Sequence, residues 1–105
     1  MRPEPAVSRL VILRDEALHR CVELVDEELT IGRGPQNDIV LEDPEMLVSR
    51  FHAALRREGT GYVLIDLNSQ NGTWVAERRV DRVQLEAGVP VAIGPYQLIL
   101  EDAPN

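Results

Sequence analysis

The chain is poor in several things, and each shortage excludes a class of protein. It has one cysteine, Cys21, so no internal disulfide forms and no zinc cluster assembles around it. Beside Val22, Cys21 is expected as a small core residue. No metal site or cofactor is indicated. No apolar run approaches the ~20 residues a membrane helix needs, so no membrane insertion is expected. The N-terminus, Met1-Arg2-Pro3-Glu4-Pro5, lacks the apolar core and cleavage site of a secretory signal. A cytoplasmic location is the expectation. Basic charge is scarce too: 11 basic against 18 acidic residues give a net charge of −7. That balance argues against general nucleic-acid binding, which runs on basic surface and counterion release. Lysine is absent altogether, and every basic residue is arginine. Codon usage accounts for this, and so does a need for guanidinium forks that grip oxyanions; individual positions have to separate the two.

What remains is an ordinary globular composition, 44% hydrophobic and 28% charged over 105 residues, enough for one domain with one core. Residues 1–7 carry two prolines and little to bury, and are expected as a flexible lead-in. Residues 8–101 form the domain, and residues 102–105 are a tail or the start of a linker. Leu10-Val11-Ile12-Leu13 is apolar on both faces, as a strand within a sandwich would be. Asp15-Glu16 then turns the chain. Over residues 17–29 the pattern fits either a helix or a strand, and the β-rich sequence downstream favours strands. From Thr30 onward, short apolar runs alternate with Gly32-Arg33-Gly34-Pro35, Asp43-Pro44, Glu58-Gly59-Thr60-Gly61, Asn68, Ala76-Glu77 and Gly94-Pro95. Turn signals at this pitch predict an all-β antiparallel sandwich. Its core is expected from Leu, Val and Ile, with Trp74 and Tyr62 as larger fillers.

Three clusters carry chemistry: Ile31-Gly32-Arg33-Gly34, Ser49-Arg50-Phe51-His52 and Asn68-Ser69-Gln70-Asn71-Gly72-Thr73. Each puts short hydrogen-bond donors on turn-forming backbone, with Arg33 and Arg50 nearby. Such a surface suits a small, highly charged anion, and a phosphate monoester is the leading candidate. In order and spacing, Gly32-Arg33, Ser49-Arg50-Phe51-His52 and Asn71-Gly72-Thr73 resemble the signature of forkhead-associated (FHA) domains. Asn37-Asp38-Ile39-Val40-Leu41, Asp43-Pro44 and Asp66-Leu67-Asn68-Ser69 support the resemblance, which covers roughly residues 8–101. It implies a β-sandwich of about eleven short strands that binds phosphothreonine peptides on loops at one end. The partner would be a phosphothreonine protein, or a tail of the parent chain, modified by an upstream Ser/Thr kinase.

On this reading Arg33 offers several donors to phosphate oxygens. Ser49 supplies a hydroxyl, and Arg50 a backbone N–H with a side chain that either adds charge or lies along the surface. Asn71 clamps the peptide main chain beside the phosphorylated residue. Gly32 and Gly72 serve backbone geometry, Gly72 with φ > 0. Thr73 fixes the same loop by a local bond. His52 invites a nucleophilic-serine reading with Ser49, but has no assigned carboxylate partner; bracing the serine loop, as in the family, is its expected work, and no enzyme is expected. Phe51 should alternate away from His52, and His19 is expected on the plain surface. Two departures stand out. Gln70 replaces the family's common threonine, so the phosphate would meet a longer, floppier donor. The segment Glu45-Met46-Leu47-Val48 is longer than the family's usual, and apolar enough to form a ledge for ligand side chains. Both features also suit an alternative, a phosphorylation-independent assembly domain that uses the sheet faces.

Overall fold

The structure, a computed structural model, describes residues 7–102; most of the expected lead-in and tail, residues 1–6 and 103–105, lies outside the described residues. Eleven strands follow one another along the described chain: β1 (Arg9–Arg14), β2 (Ala17–Glu23), β3 (Glu28–Gly32), β4 (Ile39–Val40), β5 (Ala53–Glu58), β6 (Gly61–Asp66), β7 (Thr73–Val75), β8 (Arg78–Val80), β9 (Arg82–Gln84), β10 (Val91–Ile93) and β11 (Tyr96–Glu101). They form a six-stranded sheet in the order β2-β1-β11-β10-β7-β8 and a five-stranded sheet in the order β4-β3-β5-β6-β9. The strand pairs are antiparallel except β3 and β4, which run parallel over two residues. The expected sandwich is therefore present, with one short parallel exception.

Alternation along the strands makes the core. On β1, Leu10 and Ile12 are fully buried between the sheets, while Val11 and Leu13 look outward and are half-exposed. β11 repeats the pattern with Tyr96, Leu98 and Leu100 inward. Ile31, Leu55 and Leu64 answer from the facing sheet. Tyr62 fills space as expected, and its hydroxyl donates to the Leu24 carbonyl at 2.9 Å.

The ambiguous stretch is a hairpin arm, not a helix. Asp15 and Glu16 both adopt positive φ, 50° and 68°, the geometry of a two-residue turn whose twist matches the strands. Val22 then faces Leu10 on the core side and Cys21 faces Val11 on the outer side. Cys21 is thus exposed, against the expectation of a core residue; strand parity, set by the turn, decides its face. His19 is passed over where the register shifts beside Ile12 and Leu13. It is exposed, and its ring meets the buried Tyr96 edge-on at 5.3 Å between centroids.

Trp74 corrects a second expectation. On β7 it is Thr73 that is buried, with Val75 packed against the core, so Trp74 points out and is 38% exposed. Tyr96, with no exposed surface, takes the place of the large filler. The Ala76-Glu77 turn is a tight hairpin with φ of 47° and 67°, made without glycine or asparagine.

Candidate functional site

Among the connections at one end of the sandwich, four build the site: β3–β4, β4–β5, β6–β7 and β10–β11. Backbone proximity comes first. The Arg33 N–H donates to the Ser49 carbonyl and the Gly34 N–H to the Arg50 carbonyl, each at 3.0 Å, so the first two loops run side by side. A Cβ on Gly32 would lie 2.2 Å from the Arg50 carbonyl oxygen, closer than any side chain tolerates. Glycine at 32 therefore answers to crowding. Buried Asn37 locks the same seam, its amide donating to the Gly34 carbonyl at 2.8 Å and the Arg50 carbonyl at 2.7 Å. Arg33 lies across it with Nε donating to the Val48 carbonyl at 3.0 Å. That single bond fixes the guanidinium and leaves both terminal nitrogens without an acceptor among the described residues.

Upstream of Ser49, Asp43 is buried and gathers three backbone donors: the N–H groups of Glu45 at 3.1 Å, Leu47 at 2.7 Å and Val48 at 3.0 Å. The extended segment is thereby a defined shelf. Val48 is buried, whereas Met46 and Leu47 are exposed, as are Phe51 and Leu67 nearby in sequence to the site residues.

Ser49 and His52 connect this shelf to the 67–72 loop. The Ser49 hydroxyl accepts the Gln70 N–H at 3.0 Å, so its own proton stays available to an incoming oxygen. The backbone N–H of Arg50 has no acceptor among the described residues. The exposed Arg50 side chain lies close to Gly34, whose added Cβ would meet its Cγ at 2.7 Å. Asn71 reaches back with its amide to the Leu47 carbonyl at 3.1 Å. His52, fully buried, accepts the Ser49 N–H at Nδ1 (3.0 Å), which leaves Nε2 to donate to the Gly72 carbonyl (2.9 Å). Phe51 turns the opposite way and is exposed.

Beneath the loop sits Asp66. It accepts the Ser69 N–H at 2.9 Å, the Ser69 hydroxyl at 2.5 Å and the Thr73 hydroxyl at 2.8 Å. Ser69 in turn accepts the Gly72 N–H at 3.1 Å, and Gly72 has φ of 89°. Burial pushes the Asp66 carboxyl up, but the bonds from Ser69 and Thr73, with His52 nearby, outweigh it and hold the group below its usual range. Burial pushes the His52 imidazole down; the Gly72 carbonyl and Asp66 oppose the shift and Arg79 adds to it, and the net direction is down. The imidazole is neutral at neutral pH, as its acceptor role at Nδ1 requires.

Asp66 does approach His52, at 3.9 Å from Nε2. The arrangement still does not make a nucleophile. A general base needs a free lone pair facing the hydroxyl, and the imidazole's acceptor nitrogen is taken by a backbone N–H while the Ser49 hydroxyl is bonded to Gln70. Among the described residues no group of three His, Cys, Asp or Glu side chains is placed to share a metal ion, and no helix is long and apolar enough to cross a membrane.

The sequence model of the family described as FHA domain matches residues 29–94. The chain is an FHA domain. It is similar to the glycogen accumulation regulator GarA of Mycolicibacterium smegmatis, 40% identical over 83 residues, covering 78% of this chain and 51% of that protein. It thus spans about half the length of that curated relative. A solved structure described as a structural and functional analysis of phosphothreonine-dependent FHA domain interactions superposes with a TM-score of 0.80 at 32% identity, covering 94% of this chain and 99% of that one. Mycobacterium tuberculosis EmbR, solved with a low-affinity phosphopeptide, gives a TM-score of 0.80 at 33% identity, covering 95% of this chain and 25% of that one.

Within this FHA domain, Arg33, Ser49, Arg50, Gln70 and Asn71 come together at one end, with Gly32, His52, Gly72 and Thr73 as their supports. At the Gln70 departure the backbone N–H ties to Ser49 and the side chain is exposed. Sequence reasoning gave no separate role to Asn37, Asp43 and Asp66. Asp43 before a proline and Asp66 three residues before Ser69 are side-chain turn signals that would have found two of them. Arg79 was missed as well. It reaches the loop with Nη2 on the Ser69 carbonyl at 3.0 Å; the Ala76-Glu77 turn that returns it was expected, the reach of its side chain was not.

Proposed function

We propose that this FHA domain is a non-catalytic reader of phosphothreonine in partner proteins, recruiting them after Ser/Thr kinase action. One observation carries the reading. The terminal nitrogens of Arg33, the hydroxyl proton of Ser49 and the backbone N–H of Arg50 are donors without acceptors among the described residues, on loops bonded to one another. A phosphate monoester presents about −1.5 to −2 charge and three acceptor oxygens near neutral pH. Charge-assisted bonds contribute on the order of 1.5–3 kcal/mol each, so two or three separate a phosphorylated peptide from a bare one by several kcal/mol. The net charge of −7 opposes an anionic ligand only weakly, because screening at physiological salt acts over ~8 Å. Asn71 would hold the peptide main chain beside the phosphate, and the Gln70 side chain would add a longer donor to the phosphate itself.

The test is titration calorimetry with degenerate peptides bearing phosphothreonine, phosphoserine or unmodified threonine, for wild type, Arg33→Ala and Ser49→Ala, with folding followed by circular dichroism. Binding confined to phosphothreonine and weakened about 100-fold in folded Arg33→Ala is the expected result. A well-folded wild type that ignores all three peptides would sink the proposal.

A second reading has its own observation. Leu18, Leu13, Gln97, Ala92 and Trp74 form one row across the outer face of the six-stranded sheet, with Leu18 and Trp74 exposed on it. Phosphorylation-independent assembly would use that face, and an unmodified partner bound equally well by wild type and Arg33→Ala would favour it.

A further inference from the structure

Two side chains that make none of the proposed phosphate contacts converge on the back of the 69–72 loop. Trp74 and Arg79 are direct partners across the β7–β8 hairpin. The Trp74 indole donates to the Asn71 carbonyl at 2.9 Å, and Arg79 Nη2 donates to the Ser69 carbonyl at 3.0 Å. They meet at Gly72, where an added Cβ would lie 2.7 Å from Arg79 Nε and 3.0 Å from Trp74 Nε1. Both side chains are therefore in close contact with the backbone that carries Gln70 and Asn71.

The front of that loop is held differently. Gln70 is tied there through its N–H to the Ser49 hydroxyl, and Asn71 through its amide to the Leu47 carbonyl. A bound peptide competes for the Asn71 amide, so the tie to Leu47 loosens when the ligand needs it. Contacts from behind do not exchange with the ligand. A loop kept ordered before binding spares the ligand that entropic cost.

We propose that Trp74 and Arg79 are positioning residues that hold Gln70 and Asn71 ready, and so set phosphopeptide affinity without touching the phosphate. The inference rests on the phosphopeptide reading above.

The test compares Arg79→Met, Arg79→Lys and Trp74→Phe with wild type, using a phosphothreonine peptide of degenerate flanks. Arg79→Met should weaken binding about tenfold and Trp74→Phe about fivefold, with thermal midpoints nearly unchanged. Arg79→Lys, which keeps a donor, should recover most of the loss. In the ligand-free protein, amide hydrogen exchange at Gln70 and Asn71 should quicken in Arg79→Met. Equal affinity and equal exchange in both donor-lacking variants would overturn the inference while leaving the phosphopeptide reading intact. If wild type binds no phosphopeptide, that reading fails on its own, and the ligand-free exchange decides the brace: faster exchange supports it, unchanged exchange overturns it. Should the variants not fold, wild-type exchange settles it: slow amide exchange at Gln70 and Asn71 before any peptide is added supports the brace, and fast exchange that slows only with the peptide rejects it.

Discussion

The two ends of the sandwich are built by different means. At the recognition end, side chains stitch loop to loop: Arg33 to Val48, Asn37 to Arg50, Ser49 to Gln70, Asn71 to Leu47, and His52 to both Ser49 and Gly72. At the far end, backbone bonds close the turns, such as Val89 to Glu86 and Gly88 to Leu100, with Tyr62 to Leu24 as the side-chain tie. Glycines mark the same contrast. Gly32, Gly34, Gly72 and Gly94 have neighbours within 3.0 Å of a would-be Cβ, whereas Gly59 and Gly88 have nothing within 4 Å. One end uses glycine to let segments touch; the other uses it to turn the chain. A surface that presents fixed donors needs the first kind of construction, because unpinned loops lose their geometry to entropy.

Substitutions can break this contrast, and the largest effect belongs to Gly32→Ala. Its methyl would strike the Arg50 carbonyl at 2.2 Å, so the 31–34 and 49–52 segments must part. A loss of about 3–5 kcal/mol in denaturant unfolding is expected, with phosphopeptide affinity falling alongside. A mild phenotype there would mean that the loops are not locked. Asp43→Ala comes next. It strips the acceptor from three N–H groups and should cost about 2–3 kcal/mol, with exchange quickening at Leu47 and Val48 in particular.

Acid should act through the recognition end as well. His52 and Asp66 both have depressed values in the fold, so the unfolded chain binds more protons and stability is lost as pH drops. The His52 contribution is complete above about 6.5 and declines as pH drops below it towards the lower folded value; that of Asp66 follows below about 3.8. Each limits the slope to about 1.4 kcal/mol per pH unit. Melting curves of wild type and His52→Gln should converge as pH falls from 6.5, and parallel curves would show that the imidazole is not the sensor. The smallest effect is reserved for the far end. Gly59→Ala, at φ 62° in open space, should cost about 1 kcal/mol and leave phosphopeptide binding alone.

Most of the fold could be read from the sequence because turn residues recur between short apolar runs, and a sandwich follows from that spacing. What stayed hidden was decided by parity. Cys21 and Trp74 each sit one residue from a core position, and nothing in their own chemistry says which face of the strand they take. Residues 17–29 stayed ambiguous because β2 is an edge strand that buries almost nothing, so no inward period was written into it. The site was legible where motif residues lie together in the chain, as in Ser49 to His52. It was illegible where a bond closes over distance, as between Arg79 and Ser69.

Arg9 pairs with Glu101 and Arg14 with Tyr96, so the first and last strands begin and end side by side, away from the recognition loops. Arg14 marks the other end, where its guanidinium donates to the Glu42 carbonyl at 3.1 Å. Sequence flanking β1 and β11 therefore departs from the pole opposite the proposed phosphate site. Six residues of strand plus the loops amount to roughly 30 Å, and an extended chain covers ~3.3–3.6 Å per residue. On the phosphopeptide reading, a flanking phosphothreonine closer than about nine residues to either strand would not reach the site of its own domain and would be left to dock on another molecule. Tether length alone thus sorts self-capture from partner capture, with no change in a single binding residue.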